Sequence, residues 1–147
     1  MTASSYFYYM FAKNLLNNKL SEFADINTSI KVALLKSSYT PDRINNENWG
    51  DVSISEVIGL GYSSGGKEIS NKQINTVNSR TDLKADDLSW NNITCNVKYA
   101  VIYDDTPAAD VDKKLIYYMK FTEEIVLDNA TINILWDQGI VFSHIIP

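Results

Sequence analysis

The sequence predicts a mainly β protein, an antiparallel β-sandwich of seven to nine strands, jelly-roll or immunoglobulin-like, with one N-terminal helix. Three observations lead to this prediction. Short stretches of alternating apolar and polar residues are typical of strands with one buried face. Clusters of Gly, Pro, Asn and Asp separate these stretches at short intervals. Residues 93–103 form the longest such stretch, and its second half is apolar on both faces, which indicates a central strand.

The length of 147 residues indicates one domain over residues 1–147, with an N-terminal helical segment at 1–22 and the β-sandwich at 29–147. With 45% hydrophobic and 21% charged residues, the chain is ordinary for a globular protein. A net charge of −5 and scattered Lys and Arg residues argue against nucleic-acid binding, which needs clustered basic residues. The apolar patch at the start is too short to span a bilayer and lacks the basic region of a secretory signal. We therefore expect the chain to fold in a cytoplasm and not to associate with a membrane.

Residues 5–20 are predicted to form the N-terminal helix, with one of the serines at the start of the segment as its N-cap. Phe7, Phe11 and Leu15 recur at a spacing of four residues and would share one face. The main interpretation is a helix that packs on the sheet. The alternative is that the aromatic run 6–9, together with Phe11, docks on a partner protein, because Tyr and Phe are enriched in interface cores.

The first strand is expected at residues 29–36, whose apolar residues alternate between two faces. A polar, Asn-rich loop follows at 43–51, and Trp49 would anchor it. The glycine-rich stretch 59–66 resembles a phosphate-binding loop only superficially. Such a loop needs Gly-Lys-Ser/Thr before a helix, whereas here glutamate follows the lysine. We therefore expect these glycines to provide positive φ angles or a bulge between strands.

Residues 67–84 are predicted to form exposed edge strands with charged and Asn-rich outer faces. The central strand at 93–103 is expected to pair with a returning strand at 115–122 as an antiparallel hairpin with a long tip. One covered face of the central strand would hold Ile93, Cys95, Val97, Tyr99, Val101 and Tyr103. One face of the returning strand would hold Leu115, Tyr117, Met119 and Phe121.

The tip of this hairpin is acidic. It carries four carboxylates, at Asp104, Asp105, Asp110 and Asp112. Because calcium prefers oxygen ligands, a calcium site is one hypothesis. The segment lacks the glycine and the twelfth-position glutamate of an EF-hand, so a solvated acidic loop is the main interpretation. No metal ligand is assigned from the sequence.

A final pair of strands is predicted at 131–136 and 140–146. The turn at 137–139 would join them as a hairpin. Ile132, Ile134 and Trp136 would share one face of the first of these strands.

No set of residues in the sequence indicates catalysis, so we expect the chain not to be an enzyme. Cys95 is expected to act as a small buried hydrophobe. A catalytic thiol would need a histidine, and pairing with His144, the single histidine, stays open. Glycoside hydrolysis requires two carboxylates that flank one bond, and Glu123 and Glu124 are a candidate pair. Neighbours in a strand point to opposite faces, so these two cannot flank one bond from the same face. Both are expected to be solvated charges, and no catalytic or cofactor-binding residue is assigned.

Six segments follow the N-terminal helix in a recognisable order. They are Ile-Lys-Val-Ala-Leu-Leu at 30–35, Tyr-Thr-Pro-Asp at 39–42, the segment 56–66 ending in Ser-Ser-Gly-Gly, Ala-Asp-Asp-Leu-Ser-Trp at 85–90, the segment 98–106 and the segment 132–140. This order resembles a family of small tailed-bacteriophage virion structural proteins of the capsid-decoration or head-fibre type. The chain departs from the family pattern in its aromatic start and in a longer loop at 106–113.

The resemblance implies a non-enzymatic structural protein of the virion, assembled in the host cytoplasm and acting through protein–protein contacts. It would decorate the capsid or serve as a head-fibre or joining protein. The expected partners are the major capsid protein or other virion proteins, and a homo-oligomer is expected. The alternative is a tail- or fibre-associated module that binds a receptor or glycan. Three loop aromatics would stack on sugar rings in that case: Tyr39, Trp49 and Tyr62.

Overall fold

The computed structural model describes residues 3–145, with side chains described as far as residue 143. These residues form eight strands, which confirms the predicted mainly β sandwich. The strands are β1 Ala3–Phe7, β2 Ile30–Leu35, β3 Lys67–Glu68, β4 Gln73–Val77, β5 Arg80–Lys84, β6 Leu88–Asp104, β7 Leu115–Ile134 and β8 Ile140–Ile145. The helices are α1 Tyr9–Leu16 and α2 Trp49–Val52, with 3₁₀ turns at Ser53–Ser55 and Asp137–Gly139.

The strands form two antiparallel sheets. The larger sheet has the order β1-β7-β6-β2-β3, and the smaller has the order β4-β5-β8. An inner cluster of buried apolar side chains joins the sheets and includes Val32, Leu83, Ile102, Ile116 and Val141. An outer cluster covers the other face of the larger sheet with Tyr8, Ala33, Leu35, Tyr39, Trp49, Val52, Tyr99, Val101, Tyr103, Leu115 and Tyr118. The larger sheet is therefore buried on both faces around β2 and the second half of β6.

The central strand and its antiparallel hairpin with β7 are confirmed, but the six alternating residues of β6 do not share one face. Val97 belongs to the inner cluster, whereas Tyr99 belongs to the outer cluster. The pairing with β7 shifts between them, because Val97 lies opposite Ile125 and Tyr99 lies opposite Lys120. Two residues along β6 thus correspond to five along β7. Such a bulge exchanges the faces of all later residues, which alternation within one strand does not show.

The N-terminal helix is shorter than the predicted range 5–20. Residues 3–7 form β1 instead, which pairs antiparallel with residues 117–121 of β7. Aromatic residues favour strands, and the open edge of β7 supplies hydrogen bonds that a helix would not use. The N-cap is Tyr8 rather than a serine, and the helix ends near Asn18, whose positive φ of 54° is typical of a C-terminal cap.

The predicted final hairpin is wrong in its pairing. The turn is present, with positive φ at Gln138 and Gly139, but it leads β8 into the smaller sheet beside β5. Trp136 directs the chain there, since its backbone N–H donates to Asp87 Oδ1 at 2.7 Å. The strands predicted at 115–122 and 131–136 are one continuous strand, β7.

The faces predicted within β7 are mostly correct. Tyr117, Met119 and Phe121 lie in the inner cluster with Ile132, Ile134 and Trp136. Leu115 is the exception, because it lies in the outer cluster. The pairing between β6 and β7 shifts again there, between Ile102 and Tyr103, so Leu115 faces the opposite side.

The glycine-rich loop has the conformations that the sequence predicts. Gly61, Gly65 and Gly66 have positive φ angles, and the loop leads into β3 rather than into a helix. At Gly66 a side chain would also overlap the carbonyl of Val32. Glycine is therefore required where this loop crosses the edge of β2.

The edge strands predicted within residues 67–84 are confirmed as β3 and β4, whose residues are exposed. The prediction is wrong for β5, which lies between β4 and β8 and buries Asp82 and Leu83.

Candidate functional site

Tyr8 fixes the junction between β1 and α1. It is 1% exposed, and its hydroxyl lies 2.8 Å from that of Tyr39, which donates in turn to Asn46 Oδ1. Burial raises the pKa of Tyr8 far above its usual range and that of Tyr39 to about 12. The next backbone N–H, of Tyr9, donates to the carbonyl of Arg43 at 2.8 Å. The start of α1 is thus held at a defined place on the sandwich.

Four phenylalanines connect α1 to the smaller sheet. Phe7 and Phe11 stack at 5.4 Å between ring centroids, and both meet Phe142 of β8 edge-on at 5.8 Å. Phe23 also meets Phe142 edge-on, at 5.6 Å. These edge-to-face contacts are favourable arrangements for aromatic rings. The phenylalanine cluster (Phe7, Phe11, Phe23 and Phe142) is only half-buried, so the core continues here into an open surface.

An apolar groove of about 770 Å³ opens beside this cluster. Helix α1 forms one wall with Leu15 and Leu16, and the smaller sheet contributes Ile74, Leu83 and Phe142. Leu16 is 87% exposed and Leu15 is 51% exposed. Monomeric proteins rarely expose connected apolar side chains of this size without a binding role. We therefore take this groove, named here the α1 groove, as the candidate functional site.

Arg43 is the only charged residue among those lining the α1 groove. Its Nε donates to the carbonyl of Phe7 at 2.9 Å, and its guanidinium carbon lies 4.7 Å from the ring centroid of Tyr9 and 5.4 Å from that of Tyr6. Within the described part of the chain, no carboxylate forms an ion pair with it. The groove therefore combines apolar walls with a cation oriented by two aromatic rings.

A second groove, of about 690 Å³, runs along β7 and is lined by Met119, Phe121, Leu127 and Trp136 among others. These four residues are already buried in the inner cluster. β1 pairs with β7 only as far as Phe121, so the rest of β7 has β6 as its one strand neighbour among residues 3–145.

The three aromatics proposed for sugar stacking are structural. Tyr39 and Trp49 are each 5% exposed, and Trp49 stacks on Tyr103 with ring centroids 4.4 Å apart. The hydroxyl of Tyr62 donates to Glu56 Oε1 at 2.8 Å and accepts from the Leu34 N–H at 3.0 Å. Tyr39 and Trp49 are too buried to offer a ring face to a sugar, and Tyr62 is partly exposed but engaged through its hydroxyl. The predicted anchoring role of Trp49 is confirmed.

Lysines pair with two of the four carboxylates of the acidic tip, Asp105 and Asp110. The carboxylate oxygens of Asp105 lie 2.9 Å from the Nζ atoms of Lys31 and Lys113, and Lys113 also pairs with Asp110. Burial acts to raise the pKa of Asp105, but the hydrogen bonds from both lysines outweigh it, and the pKa falls below its usual value. Asp104 is 1% exposed. Its carboxylate accepts backbone N–H bonds at 3.0 Å from residues 21 and 106.

The solvated-loop interpretation is therefore wrong at Asp104 and Asp105. The calcium hypothesis gains no support, because residues 3–143 contain no group of three or more His, Cys, Asp or Glu side chains arranged to hold a metal ion.

The predicted role of Cys95 as a small buried hydrophobe is confirmed. It is a free thiol in the inner cluster, and burial raises its pKa. Residue 144 lies in β8 of the other sheet, opposite Thr81, and the side chain of His144 is outside the described residues. Glu123 and Glu124 are both exposed in the shifted part of β7, as predicted for solvated charges.

Sequence reasoning identified part of the α1 groove. It predicts that Phe7, Phe11 and Leu15 share one face, and it leaves open whether the aromatic run 6–9, together with Phe11, docks on a partner. It did not single out Arg43, Phe23 or Phe142, since these come from three distant segments and carry no local motif.

Comparison with protein-family models, curated proteins and solved structures found no match to this chain. Between residues 3 and 145, no helix combines the length and the apolar character needed to cross a membrane. We therefore infer function from the surface of the molecule and from the order of its sequence segments.

Proposed function

We propose that this chain is a non-enzymatic structural protein of a tailed-bacteriophage virion, a capsid-associated decoration or head-fibre or joining protein. The α1 groove is the observation that carries the proposal, because it exposes apolar side chains where a partner would cover them. The order of the six sequence segments resembles that of virion proteins, and this resemblance suggests that the partner belongs to a phage particle. The expected partners are the major capsid protein, other virion proteins and further copies of the chain.

The residues that line the α1 groove suit a protein partner. They are aromatic or aliphatic apart from Arg43, Thr81 and Ser143. Aromatic residues and arginine are enriched in the cores of protein interfaces, whereas acidic residues are depleted there. The burial of Tyr39 and Trp49 weighs against the glycan-binding alternative, which named these rings for sugar stacking.

Mass spectrometry of purified particles tests this proposal directly. We expect the chain to copurify with virions in many copies, and a reconstruction of the particle to place it on the capsid or at the head–tail joint. Absence from purified particles would overturn the proposal. Density only at the tail would retain a structural role and reject the capsid assignment.

A pair of matched variants tests the α1 groove itself. Leu16→Glu puts a charge on a groove side chain that is 87% exposed, and Ile58→Glu does the same at a position 90% exposed outside the groove. Both proteins should unfold at the same urea concentration as the parent. We expect Leu16→Glu to be lost from particles and Ile58→Glu to be retained. Equal incorporation of the two variants would rule out the groove as the docking surface.

A further inference from the structure

We propose that the partner of the α1 groove is the acidic part of β7, residues 123–128, in a second copy of this chain. The inference rests on the proposed function for the groove and names its occupant. Charge complementarity between two surfaces of the same chain carries it. Copies joined in this way would assemble head to tail.

Helix α1, which forms one wall of the α1 groove, carries one positive charge and no negative charge, although the protein as a whole is acidic. Among residues 1–21, Lys13 and Lys19 are the only charged side chains, and Glu22 is the first acidic residue of the chain. Arg43 adds a third positive charge at the groove itself. Its Nε is engaged by Phe7, which leaves the terminal nitrogens to face a carboxylate from outside.

Residues 123–128 of β7 have the opposite character. Glu123, Glu124 and Asp128 are exposed, and no Lys or Arg occurs after Lys120. Among the described residues, none of these three carboxylates forms an ion pair. Val126 stands between them and is 70% exposed, so an apolar side chain is flanked by carboxylates on one short segment.

Among residues 3–145, residues 123–128 have β6 as their one strand neighbour, so one edge of this segment is unpaired in the described part of the chain. An apolar side chain such as Val126 would enter the α1 groove between Leu15 and Leu16, while a neighbouring carboxylate reaches Arg43. Arginine and carboxylate make paired, charge-assisted hydrogen bonds, which are among the stronger polar contacts in interfaces.

The two surfaces are different, so each copy would use its groove for one neighbour and its β7 segment for another. A contact of this kind closes into a ring or extends as a filament, depending on the rotation between copies. Either outcome suits a protein that is present in many copies on a particle.

Sedimentation velocity of the purified full-length chain over a concentration series tests this inference. We expect reversible self-association that weakens with added salt, because the contact is partly ionic. Arg43→Glu and the double substitution of Glu123 and Glu124 by Arg should each weaken association by about tenfold or more. Combining the three substitutions should restore most of it, since the charges are then exchanged rather than removed.

Controls separate recognition from folding. Arg43→Glu also removes the hydrogen bond to Phe7, so Leu16→Glu supplies an independent groove variant at an exposed position. Lys36→Glu, outside the groove lining, is the matched charge control and should associate like the parent. A parent chain that stays monomeric, or association that none of the groove and β7 variants alters, would overturn the inference. Oleate binding that Leu16→Glu abolishes in a monomeric parent would assign the groove to a small amphiphile instead.

The inference and the proposed function fail separately. Self-association that follows the charge exchange, in a chain absent from purified virions, would keep the inference and reject the virion role. A chain that is present in virions but monomeric in solution, with Arg43→Glu incorporated normally, would keep the virion role and reject the inference.

Discussion

At the scale of single residues, one buried carboxylate holds the glycine-rich loop to the sandwich. Glu56 is 9% exposed, and its Oε1 accepts from the Tyr62 hydroxyl at 2.8 Å and from the Gly65 N–H at 2.6 Å. The Tyr62 hydroxyl also accepts the Leu34 N–H, which no strand partner satisfies at that edge. The loop thus completes the hydrogen bonding of β2 where β3 ends.

Removing the hydroxyl of Tyr62 tests this network. Tyr62→Phe leaves the buried Leu34 N–H and one bond to Glu56 unsatisfied. We expect the free energy of unfolding to fall by about 1–2 kcal/mol, measured by urea denaturation. Tyr9→Phe, at a tyrosine that is 57% exposed, is the control and should change little. Equal effects of the two substitutions would contradict the anchoring role of the hydroxyl.

Gly59 illustrates a different requirement, which is close backbone approach. A Cβ at this position would overlap the carbonyl oxygen of Thr94, whereas a Cβ at Gly50 would meet nothing closer than 3.8 Å. We expect Gly59→Ala to lower the free energy of unfolding by about 3 kcal/mol, as overpacking against backbone does, and Gly50→Ala to be neutral. Thermal denaturation of the two variants measures this difference. A tolerated Gly59→Ala would show that the loop does not lie against β6.

At the scale of elements, local alternation predicts which strands exist better than it predicts how they pair. β2, β6 and the hairpin of β6 with β7 follow from short-range patterns. The exchange of faces after Val97 does not, because it depends on how many residues of β7 stand opposite. The partner of β8 was missed for a similar reason, since a turn alone does not show which sheet the next strand joins. The α1 groove shares this limit, because Phe23 and Phe142 meet only after the sheets have formed.

Helix α1 has two functionally different sides. Phe11 belongs to the phenylalanine cluster, while Leu16 points into the open groove and is 87% exposed. We expect Phe11→Ala to lower the free energy of unfolding by about 2 kcal/mol and Leu16→Ala to change it by less than about 0.5 kcal/mol. Urea denaturation provides the measurement. A large effect of Leu16→Ala would mean that the groove is closed within the single chain.

The acidic tip between β6 and β7 is held by ion pairs that titrate. The pKa of Asp105 is lowered in the folded chain, so its stabilisation is complete above the unfolded pKa near 4 and is lost as pH falls through the folded pKa. We expect Asp105→Asn to lower the free energy of unfolding by about 1–2 kcal/mol at pH 7. Below pH 4 the stability of the variant should fall less steeply than that of the parent, because the Asp105 carboxylate no longer contributes. Urea denaturation at pH 7 and pH 3 measures both. Asp112→Asn, at an exposed carboxylate without an ion pair among the described residues, is the control.

At the scale of the whole molecule, the two faces of the larger sheet differ in chemistry. The inner cluster is mainly aliphatic, whereas the outer cluster contains five of the nine tyrosines of the chain. The hydroxyls of Tyr8, Tyr39 and Tyr103 form hydrogen bonds within the fold. Tyr8 bonds Tyr39, and Tyr103 donates to the carbonyl of Gly65 at 2.7 Å. Buried tyrosine therefore ties the loops to the sheet through hydrogen bonds that only the neutral hydroxyl can donate.

This arrangement predicts that alkaline pH unfolds the protein. Burial raises the pKa of six tyrosines: Tyr8, Tyr39, Tyr62, Tyr103, Tyr117 and Tyr118. Because the folded pKa lies above the unfolded value near 10, their contribution is complete below pH 10 and is lost as pH rises beyond it. Above pH 10, each such tyrosine lowers the free energy of unfolding by about 1.4 kcal/mol per pH unit. Several together should therefore unfold the chain within about one to two pH units.

Absorbance at 295 nm and far-UV circular dichroism, followed together through the alkaline titration, test this prediction. We expect ionisation of most tyrosines to coincide with loss of the β signal in a single cooperative step. The same titration in concentrated urea should show all nine tyrosines ionising near pH 10, since no burial remains there. Lys113, whose pKa is raised chiefly by its hydrogen bond to Asp105, contributes stability that is lost in the same direction. Ionisation of most tyrosines near pH 10 with the β signal intact would contradict the burial of the outer cluster, and with it the placement of Tyr8 that positions α1.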